Sequence, residues 1–152
     1  MANLDDLLKR LERLELALVE AERVPHRTAQ AVAPVLSDLI QKQYSAGTDP
    51  YGAAWKPITS TTRRLRRGDK NAPPLTDTSK LRKGSFAQWK TGTNRVGLWF
   101  GRWQGWVHQR GSAKVPQREI YPERALPSKW QEAIRAAWRR EADAVLRKAF
   151  GK

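Results

Sequence analysis

Ser85-Phe86-Ala87-Gln88-Trp89-Lys90-Thr91-Gly92-Thr93-Asn94-Arg95-Val96-Gly97-Leu98-Trp99-Phe100 is where the apolar pattern leaves helical spacing and becomes alternation. Phe86 with Gln88, and Val96 with Leu98 and Phe100, keep a period of two, and Thr91-Gly92-Thr93-Asn94 has the composition of a hairpin turn. The stretch predicts two strands, over 85–90 and 95–100. Trp89 and Trp99 fall on the opposite parity, so both faces of the hairpin are expected to be covered, one by a helix and the other by another subunit.

Outside this hairpin the long periodic segments are helical. From Asn3, a good N-cap followed by Asp5 and Asp6, leucines recur at Leu4, Leu7, Leu8, Leu11, Leu14 and Leu18, widened by Leu16 and Val19. Pro25 is expected to end this helix. The stripe has two readings: packing within the chain, or an amphipathic arm over residues 1–24 that reaches a neighbouring subunit. A second helix is expected from Thr28 to Tyr44 through Val32, Val35, Leu36, Leu39 and Ile40, with Pro34 as a kink or a late start and Ala46-Gly47 as its end. The last helix starts at a Ser128 cap. Its apolar face is read as Trp130, Ile134, Trp138, Ala142, Val145, Leu146, Ala149 and Phe150, with Arg135, Arg139, Arg140, Arg147 and Lys148 mostly off it. The fold class is therefore α+β: N-terminal helices, a small antiparallel sheet with a tryptophan-rich hairpin, and a long C-terminal helix, in one domain of residues 1–152.

The remaining segments read as connections. Asp49-Pro50-Tyr51-Gly52 is a turn leading into an extended segment anchored by Trp55. Residues 59–74 form a polar, mobile basic loop whose Arg63, Arg64, Arg66, Arg67 and Lys70 either stay solvated or order against an acidic surface or a phosphate backbone. Leu75 to Arg82 is a capped turn or short helix, with Asp77 or Thr78 as cap. Gly105-Trp106-Val107-His108-Gln109-Arg110-Gly111 reads as a rigid turn running on to Pro116-Gln117-Arg118, and Arg118 to Tyr121 as one more strand.

A chain of 152 residues can bury roughly 70% of its unfolded surface, enough for a core without covalent staples. It has no cysteine, which removes disulfides, thiolate nucleophiles and Cys-based zinc sites, and fits a reducing compartment. The start of the chain alternates charges with leucines, unlike a signal peptide, and no stretch reaches the ~20 apolar residues of a membrane span. The expectation is a soluble protein with no membrane partner. Its 29 basic residues against 15 acidic ones give a formal charge of +14, an excess that attracts polyanions. The seven tryptophans point to extensive packing against itself, its partners or both.

His108 is the one plausible general base. Asp77 with Ser79 or Ser112 would have to complete a nucleophilic trio, and no spacing supports that. Two separated histidines offer no metal-ligand pattern, and the glycines neither form a phosphate-binding motif nor open a helix. The expectation is a protein that is not an enzyme, with no catalytic residue, metal or cofactor.

Asp49-Pro50-x-Gly52-x-x-Trp55-x-Pro57, then Leu75-Thr76-Asp77-Thr78-Ser79-Lys80-Leu81-Arg82, then Val107-His108-Gln109-x-Gly111, then Pro116-x-Arg118, occur in that order between Ile40 and Tyr121. This set resembles the phage virion morphogenesis family of tail completion proteins, whose similar pattern is D-P-x-G-x-x-W, L-x-D-T-G-x-L-R, a hairpin, Y-A-x-x-H-Q-x-G and a P-x-R turn. Ser79 stands where the family tends to have glycine, Trp106 where it tends to have tyrosine, and Arg110 where an aromatic is usual. The resemblance implies a structural neck protein of a tailed phage. It would form a homo-hexameric ring at the head-proximal end of the tail, within the virion, after assembly in the bacterial host cytoplasm. Its neighbours would be a head-closure or connector ring and a tail terminator or tail tube, with DNA passing through the channel. In that setting Asp49, Gly52, Trp55, Asp77, Leu81, Arg82, Trp106, His108, Gln109, Gly111, Pro116 and Arg118 would anchor loops and fix a docking joint. Trp89, Trp99, Trp103 and Arg110 would face neighbouring subunits. The alternative is a nucleic-acid-binding protein that works through the 63–70 basic run.

Overall fold

The computed structural model describes the backbone of residues 4–150 and the side chains of residues 6–150. The Asn3 cap, and the parts assigned to Leu4 and Asp5, lie outside the described residues. The order is α1 (Leu4–Glu22), α2 (Val24–Ala46), α3 (Ser60–Arg64), α4 (Lys80–Lys83), β1 (Ser85–Trp89), β2 (Val96–Phe100), α5 (Gln104–Arg110) and α6 (Ser128–Phe150). The fold is α+β, with one antiparallel two-stranded sheet.

Pro25 does not leave a gap before the second helix. It sits in the first turn of α2, where no intrahelical N–H is needed and its fixed φ suits the helix. Thus α2 starts at Val24, before the expected Thr28, and Pro34 lies inside it. Glu20 ties the α1–α2 junction through Arg27 Nη2 at 2.8 Å and Arg23 Nη1 at 3.3 Å. Gly47, at φ 68, closes α2 by donating to Gln43 O, a left-handed cap that glycine adopts without Cβ strain.

The core is the inner face of α2, where Val32, Leu36, Ile40 and Tyr44 pack with Trp55, Ala87, Ile120, Tyr121, Trp130 and Ala137. Val35, expected on this face, is exposed. The hairpin lies against α2: Ser85 pairs with Phe100, Ala87 with Leu98 and Trp89 with Val96 on the core side, whereas Phe86 and Trp99 pair on the outer side. Ser37 extends the sheet edge from the helix, donating to Ala87 O at 2.8 Å and accepting from Ala87 N at 3.0 Å. Ser85 Oγ donates to Leu81 O, so it accepts from the buried Tyr44 hydroxyl 2.9 Å away.

Trp89 is therefore not an outward interface residue. Its ring meets His26 edge-on at 4.8 Å and its indole N–H donates to Thr93 O at 2.7 Å. The expected strand at Arg118–Tyr121 does not form. On α6 the expected Trp130, Val145 and Ala149 are buried and Ile134 packs on the core, but Ala137 takes the inward place expected for Trp138, and Trp138, Leu146 and Phe150 are exposed. On α1 the leucines from Leu7 to Leu18 are 43–69% exposed, so packing within the chain does not bury the stripe. The basic 59–74 segment is not an uninterrupted loop either. It holds α3, capped by Thr59 Oγ1, which accepts from Thr62 N at 3.2 Å.

Candidate functional site

The segment 116–121 is extended, and its polar backbone groups are met by a side chain where a sheet would have supplied a strand. Gln109, on α5, is 4% exposed. Its Oε1 accepts from Ile120 N at 2.8 Å and Tyr121 N at 2.9 Å, and its Nε2 donates to Tyr121 O at 2.8 Å and Glu123 Oε1 at 2.9 Å. The amide thus copies the donor and acceptor of a neighbouring strand. His108 adds its main-chain carbonyl, which accepts from Arg118 N at 2.7 Å. The stretch expected to be a turn is therefore a short helix, stopped by Gly111 at φ 72, whose N–H donates to Val107 O.

Arg118 joins this helix to the Asp49–Pro57 turn. It is 5% exposed and donates from Nε to Lys56 O at 3.0 Å and from Nη2 to Pro57 O at 3.4 Å. Trp55 completes the link, its indole N–H donating to Glu119 O at 2.9 Å. Upstream, Asp49 Oδ1 accepts from Tyr51 N and Ala53 N at 2.9 and 2.8 Å, and Gly52 takes φ 92. Trp55, Asp49, Gly52, Gln109, Gly111 and Arg118 thus form one hydrogen-bonded joint.

The His108 side chain contributes less than its backbone. Nδ1 lies 3.5 Å from Arg118 Nη1. Burial, and then the neighbouring Arg118 charge, push the imidazole below its ordinary value, which favours the neutral ring as acceptor. Arg118 is itself lowered, first by burial and then by the nearby Arg66 charge. Among the described residues no hydroxyl bonds to His108. Ser112 Oγ instead accepts from Lys114 N and Val115 N, and Asp77 Oδ1 accepts from Gly68 N at 2.8 Å.

Asp77 does not cap α4. The cap position belongs to Ser79, in the left-handed region at φ 55 with no side-chain bond. That is a conformation glycine takes without penalty. Leu81 packs against the core, and Arg82 Nε donates to Gln41 Oε1 at 3.1 Å. A cleft of about 480 Å³ then collects all four sequence motifs, lined by Pro57, Leu75, Asp77, His108, Pro116 and Arg118 among others.

The aromatics of the expected interface divide. Trp99 and Trp106 are each 55% exposed, Trp103 and Arg110 are also exposed, and Trp89 faces inward. Trp106 touches Phe100 edge-on at 4.9 Å, and Phe100 stacks on Tyr121 at 4.4 Å, so Trp106 is more surface than anchor. Burial raises the Tyr121 hydroxyl to about 12, leaving it a neutral donor to Trp99 O.

In the basic segment, Arg63, Arg64, Arg67 and Lys70 are exposed, but Arg66 is buried and lines a cleft instead of the surface the other four share. It is 9% exposed, and its guanidinium donates to the carbonyls of Asp69, Ala72 and Pro73. Its neighbour Leu65 is 72% exposed. Hydropathy orders these two residues the wrong way round, and only Arg66's web of carbonyl bonds explains the inversion. Among the described residues no cluster of three His, Asp or Glu stands ready for a metal, and no helix is long and apolar enough to cross a membrane.

Compared with known proteins, the chain matches no family model, no curated protein and no solved structure. The class stated by its own architecture is an α+β protein with a helix-backed hairpin and a side-chain-bonded joint.

Proposed function

We propose that this chain is a structural, non-enzymatic neck protein of a tailed phage, one that completes the tail and joins it to the head as a homo-hexameric ring. The observation that carries this reading is the convergence of the four ordered motifs on one cleft and joint. Segments separated by more than fifty residues in sequence meet there through Trp55 and Arg118, and His108 and Gln109 hold the 118–121 segment in place beside them. The left-handed Ser79 adds support, because the resembling family tends to have glycine where this chain has φ 55. The exposed Trp99, Trp103, Trp106 and Arg110 offer surface for a contact with the next subunit or ring. A heterologous ring needs a second, different patch, which the exposed helices α1 and α6 supply.

A phage lacking this chain should accumulate full heads and complete tails that remain unattached, visible by negative-stain microscopy of the lysate. Joined, infectious particles from such a lysate would remove the reading.

The nucleic-acid reading is favoured by one specific feature, the exposed Arg63, Arg64, Arg67 and Lys70 on and beside α3. It predicts binding to duplex or single-stranded DNA that weakens about a thousandfold over a few-fold rise in salt if roughly six phosphates are neutralised. Absence of binding at low salt would exclude it. The two readings meet if this turn faces the channel that DNA traverses.

A further inference from the structure

Arg66 and Arg118 are each at least nine-tenths buried and line one cleft, yet among the described residues neither has a carboxylate partner. Taking a charge out of water is unfavourable unless a counter-ion or a full set of hydrogen bonds replaces the solvent. Arg66 spends three bonds on carbonyls, and Arg118 spends two on carbonyls and one 3.5 Å contact on His108 Nδ1. A guanidinium has five N–H donors, so both keep unspent ones, and the long Arg118–His108 contact is readily exchanged for a carboxylate oxygen. Lys114, exposed and in no ion pair among the described residues, stands at the rim. Asp77 is the one acid in the lining, and its Oδ1 is taken by Gly68 N–H.

We propose that this cleft binds a carboxylate carried on a peptide segment of a partner protein, with Arg118 and Arg66 at its floor and Lys114 closing over it. The remaining walls decide between a peptide and a nucleic acid. Ile58, Leu65, Leu75, Val115 and Pro116 give the acid an apolar surround, which suits a side chain flanked by apolar residues. A phosphate backbone carries a charge on every unit and is held by exposed cations along a track, whereas here two of the three cations are sunk. The proposal does not rest on the neck assignment, and its test uses the isolated chain.

The probe is a fluorescein-labelled hexapeptide alternating leucine and glutamate, with a glutamine version as control, followed by fluorescence anisotropy at physiological salt. The glutamate peptide should bind and the glutamine peptide should not. Lys114→Glu, at an exposed position, should weaken binding at least about tenfold, because a like charge then faces the acid. Arg139→Glu makes the same change of charge on the exposed side of α6, outside the cleft, and should alter binding less than about twofold. In NMR spectra the His108 ring signals should shift with peptide while those of His26 stay put. Equal weakening by both variants, binding that leaves His108 unmoved, or no binding would overturn the proposal. So would a duplex or single-stranded DNA that displaces the peptide and is weakened as much by Lys114→Glu.

Discussion

The Gln109 amide uses both lone pairs of Oε1 and both protons of Nε2 within the protein, so its replacement strands several groups at once. Gln109→Ala leaves the buried N–H groups of Ile120 and Tyr121 without acceptors, at about 1–3 kcal/mol each before relaxation. Urea unfolding should therefore show a loss of about 2–4 kcal/mol. A loss below about 1 kcal/mol would mean that water replaces the amide and that the joint is wetter than its geometry indicates. His108 makes a prediction of opposite character, read in pH. Its unfolded form titrates near 6.5 and its folded form lower, because burial and Arg118 disfavour the imidazolium. Between those values the unfolded chain binds the proton and the folded chain does not. Its contribution is thus complete above 6.5 and lost as pH falls through that value toward the folded one. Stability of the native chain should drop from about pH 7.5 to about pH 5.5, and the drop should be smaller in His108→Asn, which keeps an acceptor for Arg118.

Helix α5 shows how packing overrides local preference. Gly105, in the first turn of α5, is a poor helix former, and alanine there would gain up to about 1 kcal/mol in propensity. Yet a Cβ at Gly105 would stand 2.3 Å from Phe100 Cδ1, and Phe100 is itself held between Trp106 and Tyr121. Overpacking of this kind costs about 1–3 kcal/mol, so Gly105→Ala should lower the thermal midpoint despite its better propensity. A raised midpoint would show that the ring moves aside freely. The same competition explains what was legible in the sequence. Helices α2 and α6 and the hairpin span enough residues for their periods to be read, and their existence matches the expectation. The short α5 does not, because a seven-residue helix is stabilised by what it packs on, not by its own pattern. The Arg118–Tyr121 segment departs from the expected strand for a related reason: its residues are extended, but their partner is the Gln109 side chain, which no alternation in the segment records. In α6, Ala137 turns inward in place of Trp138, and Leu146 and Phe150 stay in water, because the helix is exposed on most of its circumference. In the site, the motif order marked Trp55, Gln109 and Arg118. Nothing in the sequence marked Arg66 as buried, since its acceptors are backbone carbonyls that carry no residue signature.

At the scale of the molecule, charge and apolar exposure are distributed unevenly. Helix α1 carries six acidic and three basic residues in a chain of net charge +14, and it also holds the largest run of exposed leucines. Helix α6 has the reverse balance, six basic and three acidic, with Trp138, Leu146 and Phe150 exposed at multiples of four. Within one chain α1 packs against α6, and Leu16, Ala17 and Glu20 face Val145, Lys148 and Ala149 across one groove. Leu7, Leu11, Leu14 and Leu18 remain outside that groove. Beyond the groove where they meet, the exposed faces of an acidic apolar helix and a basic apolar helix are complementary and non-identical, as the surfaces of a head-to-tail ring would have to be. The occupant expected on the α1 stripe is therefore the α6 face of a second copy. Light scattering of the purified chain should give a mass several times 17.3 kDa, falling as salt rises because part of the attraction is between opposite charges. Leu11→Glu combined with Leu18→Glu should return the mass to that of one chain while leaving the helical circular dichroism unchanged, since both side chains are already in water in the single subunit. A wild-type chain that stays monomeric at high concentration would leave the stripe without its expected partner. A double variant that still assembles would move the contact away from α1, to the Trp99, Trp103 and Trp106 surface.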